Sequence, residues 1–271
     1  WESYGTLYLA MFALLFVFCA SVTRRAPVRD QRLMKGTLSR RTKLTLGLCV
    51  LAIPVTLWLG LQFGGGRKYL LTSMLIVAET MIPFFVAFEG RKPQARELVI
   101  LSTLSALAIG GRAVFFALPG FKPVAALVIL TGVAFGAEAG FLVGAVTMLV
   151  SNVLFGQGPW TPWQMLAYGM GGFFAGLCFG KRMQNRKLEV VLHTAFAFVA
   201  VMLLVGPLLD TCTIFTTGGK ISWRFALAVF AAGIPHNVIH ALSCAATVLL
   251  LGHPLITKLD RLKTKYGMLE V

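Results

Sequence analysis

His236 and His240 stand one helical turn apart in the string His236-Asn237-Val238-Ile239-His240, a spacing that lets two imidazoles share one metal ion. The zinc-protease pattern needs a Glu directly after the first His, and Asn237 occupies that place. No third ligand is evident, so polar packing or contact with a bound ligand is the stronger reading, and no metal or cofactor is expected. Together with Asp210, the two histidines are also the residues from which a membrane-embedded transferase would be built, and such an enzyme is the alternative function.

The densest chemical signal lies upstream, in Gly156-Gln157-Gly158-Pro159-Trp160-Thr161-Pro162-Trp163-Gln164. An aromatic belt at the membrane interface accounts for tryptophans, but it does not call for so many turn residues beside them. A fixed platform of aromatic faces and amides suits a neutral, partly aromatic solute. Trp160, Trp163, Gln157 and Gln164 are therefore candidate contacts, and Asn152, about a turn before the loop, adds an amide. Arg112 lies within an apolar segment, where a charge costs roughly 2.5–3.5 kcal/mol on insertion scales. It either lines a cavity or snorkels to the surface. Lys122, between Pro119 and Pro123, is placed to cap the same cavity.

The elements that carry these residues follow from composition. Of 271 residues, 57% are hydrophobic and 13% charged, more apolar than one globular core can hide. Apolar segments recur at 6–23, 44–63, 69–88, 98–118, 124–136, 138–155, 164–180, 188–208 and 223–251. Inside lipid every backbone polar group must be paired, so each reads as a helix, and alternating barrel strands are absent. The pair 124–136 and 138–155 is expected to bend around Gly136. The first segment reads as a retained span rather than a cleaved signal. Cys212 is the one cysteine of five expected in a loop.

The net charge of +15 does not indicate nucleic acid, because the basic residues form short runs between apolar segments instead of a continuous groove. Nineteen of the 25 fall in four groups, at 24–43, 91–96, 181–187 and 258–265. With nine alternating helices all four share one side, which the positive-inside rule makes cytoplasmic. The N-terminus is then outside, the C-terminus inside, and the Trp-Pro loop outside. Residues 1–90 read as an accessory helical unit and 91–271 as a core rich in Gly, Ala and Pro. Within that core Ser102, Ala106 and Gly110, four apart, put small side chains on one helix face for close approach by another helix. No phosphate-binding loop, nucleophile elbow or carboxylate pair is visible, so uphill transport would draw on an ATPase in another chain.

The core strings Pro93-Gln94-Ala95-Arg96-Glu97-Leu98, Gly111-Arg112-Ala113, Phe121-Lys122-Pro123-Val124, Phe135-Gly136-Ala137-Glu138-Ala139-Gly140, Ser151-Asn152 and the Trp-Pro loop resemble the substrate-binding S components of energy-coupling factor (ECF) transporters, and among them the cobalamin (CbrT-like) branch. The resemblance covers about residues 80–255. It implies an all-α, polytopic membrane bundle with a six-helix vitamin-binding core, preceded in this chain by about three extra transmembrane helices. It further implies a multi-pass subunit of a prokaryotic plasma membrane, without catalysis of its own. Such a subunit captures a micronutrient outside, cobalamin or a related corrinoid as first expectation, and works with a transmembrane coupling protein and two cytoplasmic ATPases. In that family an Ala-xxx-Ala motif on the first core helix docks the coupling protein. Ser102, Ala106 and Gly110 hold the matching places, with one Ala among them.

Overall fold

The computed structural model describes residues 68–90, 93–179, 185–217 and 222–266, together with scattered helical positions between 44 and 59. The expected span at 6–23 and part of the one at 44–63 lie outside the described residues. The described chain is helical throughout, with no strand among its residues. The helices are α1 (Lys68–Gly90), α2 (Ala95–Val114), α3 (Val124–Phe135), α4 (Ala137–Phe155), α5 (Thr161–Phe179), α6 (Arg186–Thr216) and α7 (Trp223–Lys265). Five have the length and hydropathy to cross a membrane, and α3 is a shorter apolar helix. The chain is a polytopic membrane helical bundle.

Helices α2 to α7 alternate in direction. At one end of the bundle the start of α2, the end of α3 and the end of α7 meet. There Arg96 donates to the Tyr266 carbonyl at 3.3 Å, and Lys263 donates to the Ala134 carbonyl. Leu104, Ala134 and Leu259 form a small apolar cluster nearby. The start of α6 joins this end, where His193 meets the Phe179 ring edge-on at 4.5 Å. Arg186, Lys187, Arg261 and Lys265 sit here too, so this is the strongly basic end.

Backbone contact between small residues sets the helix spacing. Gly136, at φ 93°, is the single residue that turns α3 into α4, a conformation costly for any residue with a side chain. The expected bend is thus a complete reversal. It brings Gly132 of α3 against Gly140 of α4, and both against Gly172 of α5. A Cβ on Gly140 would lie 2.7 Å from the Gly132 Cα, and one on Gly132 would land on the Gly172 carbonyl. The apolar core fills in around this contact, with Phe141, Phe196, Ile129 and Met148 fully buried. α1 packs outside α4, with Phe84 stacked on Phe141 at 4.2 Å, and Glu79 of α1 accepts a hydrogen bond from Thr56.

α6 corrects the sequence reading. The expected segment ends at 208, and the helix runs on to Thr216. Pro207 has no N–H to continue the ladder and would clash with the preceding turn. A π turn at Val201–Val205 opens the helix just before it and lets the chain proceed. Cys212, expected in a loop, is consequently buried inside the helix. α7 likewise continues through the basic tail to Lys265, with Pro235 and Pro254 accommodated within it.

Candidate functional site

At the end opposite the basic one, a cavity of about 100 Å³ opens between the α2–α3 loop and helices α4, α5, α6 and α7. Its polar lining is Arg112, Lys122, Gln164, Tyr168, His236 and His240. Each helix contributes from the portion near this end. Arg112 is in the last turn of α2, Gln164 and Tyr168 are one turn apart at the start of α5, and the two histidines are one turn apart in the first half of α7.

Arg112 is held from behind. Its Nη1 donates to Ser151 Oγ at 2.6 Å and to Asn152 Oδ1 at 2.9 Å, and its guanidinium lies 5.5 Å from the Phe155 ring centroid. Asn152 has no exposed surface. Its amide nitrogen donates to Thr161 Oγ1 at 3.1 Å and to Gln164 Oε1 at 2.8 Å. Thr161 Oγ1 in turn donates to Gln157 Oε1 at 2.7 Å, and Gln157 Nε2 donates to the Leu149 carbonyl at 3.3 Å. Arg112 therefore neither snorkels to the surface nor stands alone. Five side chains lock the last turn of α4, the Trp-Pro loop and the first turn of α5 into one unit that aims the guanidinium at the cavity. A buried network of this kind is stable because each member is satisfied.

The structure separates the expected contacts into three groups. Arg112, Lys122 and Gln164 line the cavity. Asn152 and Gln157 belong to the supporting network behind it. The two tryptophans go elsewhere: Trp163 is 7% exposed and stacks on Phe215 at 5.8 Å, whereas Trp160 is 43% exposed and covers Gly158. They do not form a joint platform, because the helix begins at Thr161 and turns the two rings to different faces.

Lys122 lies outside the spanning helices, 5.9 Å from the Phe116 ring centroid. Burial, and after it the Arg112 charge, hold its ammonium below the usual lysine range. His240 sits 3.5 Å from the Tyr168 hydroxyl, and its ring centroid is 6.5 Å from that of His236. Asp210 is turned away from the lining. It accepts from Asn237 Nδ2 at 2.9 Å and packs against Gly233, joining α6 to α7. Among the described residues no three His, Cys, Asp or Glu side chains converge. The set His236, His240 and Asp210 therefore gives no support to the enzyme alternative.

Sequence reasoning missed Thr161 and Tyr168. Tyr168 was detectable, since it follows Gln164 by one turn and shares its face. Thr161 was not, because its role depends on the loop folding back onto Asn152.

The stripe Ser102, Ala106 and Gly110 is exposed, and a Cβ on Gly110 would meet nothing within 4 Å. Ser102 and Ala106 line an apolar groove of about 290 Å³, walled across from them by Leu142, Val146 and Val150 of α4.

Residues 93–261 match the family model described as ECF-type riboflavin transporter, S component. The UPF0397 protein VS_II0189 of Vibrio atlanticus (strain LGP32) is 35% identical over 118 residues, which cover 41% of this chain and 64% of that relative. The chain thus matches just under two thirds of the length of its curated relative. No solved structure matches. That family is the transporter class that the sequence resembles, and the substrate in its name is riboflavin where the resemblance pointed to the cobalamin branch. The match runs from just before α2 into the last turns of α7, more than half of the sequence, and the chain belongs to the ECF-type riboflavin transporter S component family.

Proposed function

We propose that this chain captures a vitamin-class micronutrient in the cavity around Arg112 and delivers it to a coupling protein driven by two ATPases on other chains. The observation that carries the reading is the cavity itself. It is built wholly from elements of the family-matched stretch. In this reading the cavity end faces outside and the basic end faces the cytoplasm, with its lysines and arginines among anionic lipid heads of a prokaryotic plasma membrane. The N-terminus is outside, the C-terminus inside, and residues 1–90 are an addition around the core.

A corrinoid, the first expectation, demands far more room than the present cavity. Ligand sites for molecules of ordinary size run to about 300–1,000 Å³. A smaller flavin-sized ligand asks for less opening, and a movement of the α2–α3 loop that carries Lys122 would supply it.

The exposed groove at Ser102 and Ala106 is the proposed seat of the coupling protein, with Gly110 extending the small face of α2. Small residues allow the closest helix approach in lipid, where close packing drives association. Co-expression with the coupling protein and ATPases tests this. Ala106→Leu is expected to abolish co-purification of the complex while the isolated subunit still retains its ligand. An intact complex would assign the groove to lipid contact.

A further inference from the structure

The sequence pointed to a neutral solute, but the cavity lining points elsewhere. Arg112 and Lys122 both enter it, and among the described residues no carboxylate forms an ion pair with either. Arg112 is bonded to neutral acceptors alone, Ser151, Asn152 and the Met148 sulfur. Lys122 rests on an aromatic ring. The remaining polar lining adds the Gln164 amide and the Tyr168 hydroxyl, which can donate, and two imidazoles whose roles follow their tautomer. Asp210, the acid nearest the histidines, is committed to Asn237.

Two cations converging without a counter-charge in a largely apolar bundle are costly unless an anion joins them. Burial, and after it the Arg112 charge, lower the affinity of Lys122 for its proton. Size narrows the class further. About 100 Å³ is well under the roughly 300–1,000 Å³ of sites that take a whole ligand. It accommodates a carboxylate or a phosphate but no fused ring system. Arg112 is also held rigidly, with two hydrogen bonds to its Nη1, and a fixed guanidinium is suited to the planar or tetrahedral oxygens of such a group.

From this geometry we propose that the captured micronutrient carries an oxyanion head, a phosphate or carboxylate, which enters the closed part of the cavity between Arg112 and Lys122 while the body of the molecule stays toward the mouth. The assignment deepens the capture reading and rests on its placing the ligand in this cavity. A charge-assisted contact of this kind contributes about ten- to a hundredfold in affinity.

The test uses the full chain in nanodiscs of neutral phosphatidylcholine. Riboflavin and riboflavin 5′-phosphate, which differ only in the anion, are compared by flavin fluorescence. The phosphate is expected to bind at least about tenfold tighter, and Lys122→Gln is expected to remove the difference. A second measurement needs no flavin. Inorganic phosphate, but not chloride at equal ionic strength, is expected to raise the melting temperature of the wild-type chain and not that of Lys122→Gln. Equal binding of the two flavins, or phosphate protection that survives Lys122→Gln, would overturn the assignment. A chain that retains a neutral vitamin and ignores phosphate keeps the capture reading and loses the anion. A chain protected by phosphate that never associates with a coupling protein keeps the anion and loses the transport reading.

Discussion

Asn152 holds Arg112 in place: its side-chain oxygen accepts from the guanidinium at 2.9 Å, and both of its amide protons are taken by Thr161 and Gln164. This one amide therefore joins three helices, α2, α4 and α5, behind the cavity. Its orientation is fixed by its partners, since only the oxygen can face the cation.

Asn152→Ala removes one hydrogen-bond partner each from Arg112, Thr161 and Gln164, at about 1–3 kcal/mol for each buried group that stays unsatisfied. A fall in melting temperature together with loss of ligand is the expected outcome, measured by thermal unfolding in detergent. Asn152→Asp is expected to behave differently. It pairs the guanidinium with a carboxylate, keeps most of the stability, and weakens binding of an anionic ligand. Full binding in Asn152→Asp would mean that the charge of Arg112 is irrelevant to capture.

The two tryptophans are expected to separate cleanly. Trp163 is buried against Phe215, and its truncation should cost about 3 kcal/mol or more of stability. Trp160 is half-exposed, and Trp160→Ala should change the melting temperature little. Equal destabilisation by both would contradict the described packing.

The bundle was legible in the sequence, and the site was legible in part. Apolar length and the grouping of charges define the helices, because lipid leaves the backbone few alternatives. The π turn before Pro207 was not legible, since proline in an apolar run reads as a helix end unless neighbouring packing carries the helix through it. Glycines at 140 and 172 signalled close contact, but Gly132 on the partner helix acquires meaning only once Gly136 reverses the chain. Arg112 and Lys122 stand out in the sequence because a charge in an apolar segment is expensive. The two tryptophans read from residue type as one platform, and helix phase sets one against Phe215 and leaves the other half-exposed. The spacing of His236 and His240 suggests metal ligands or catalysts, and their place beside Arg112 depends on how α7 packs across the bundle.

The glycine contact makes a sharp prediction. Gly140→Ala puts a methyl against the backbone of α3 and α5, and overpacking of this kind costs typically about 1–3 kcal/mol. Gly110→Ala, where the space is open, should leave stability unchanged. Thermal unfolding of the two variants side by side checks the pair.

Lys122 predicts a pH dependence. Its folded-state pKa lies below the unfolded value, so in the window between them the unfolded chain binds more protons. Stability should therefore rise with pH through that window, just below the ordinary lysine value of about 10.4. Lys122→Gln should lack this rise and be at least as stable as wild type at neutral pH. A wild-type melting temperature that falls through the same window, where the variant's does not, would contradict the crowding of Lys122 against Arg112.

The central claim is that capture occurs at the Arg112 cavity and not on the tryptophan loop. Its most direct test is the quantity of small molecule retained by the purified chain, read by mass spectrometry for wild type, Arg112→Gln and Trp160→Ala. The account predicts a stoichiometric vitamin-class ligand in wild type and Trp160→Ala, and its loss in a folded Arg112→Gln. Full retention in Arg112→Gln with loss in Trp160→Ala would contradict it.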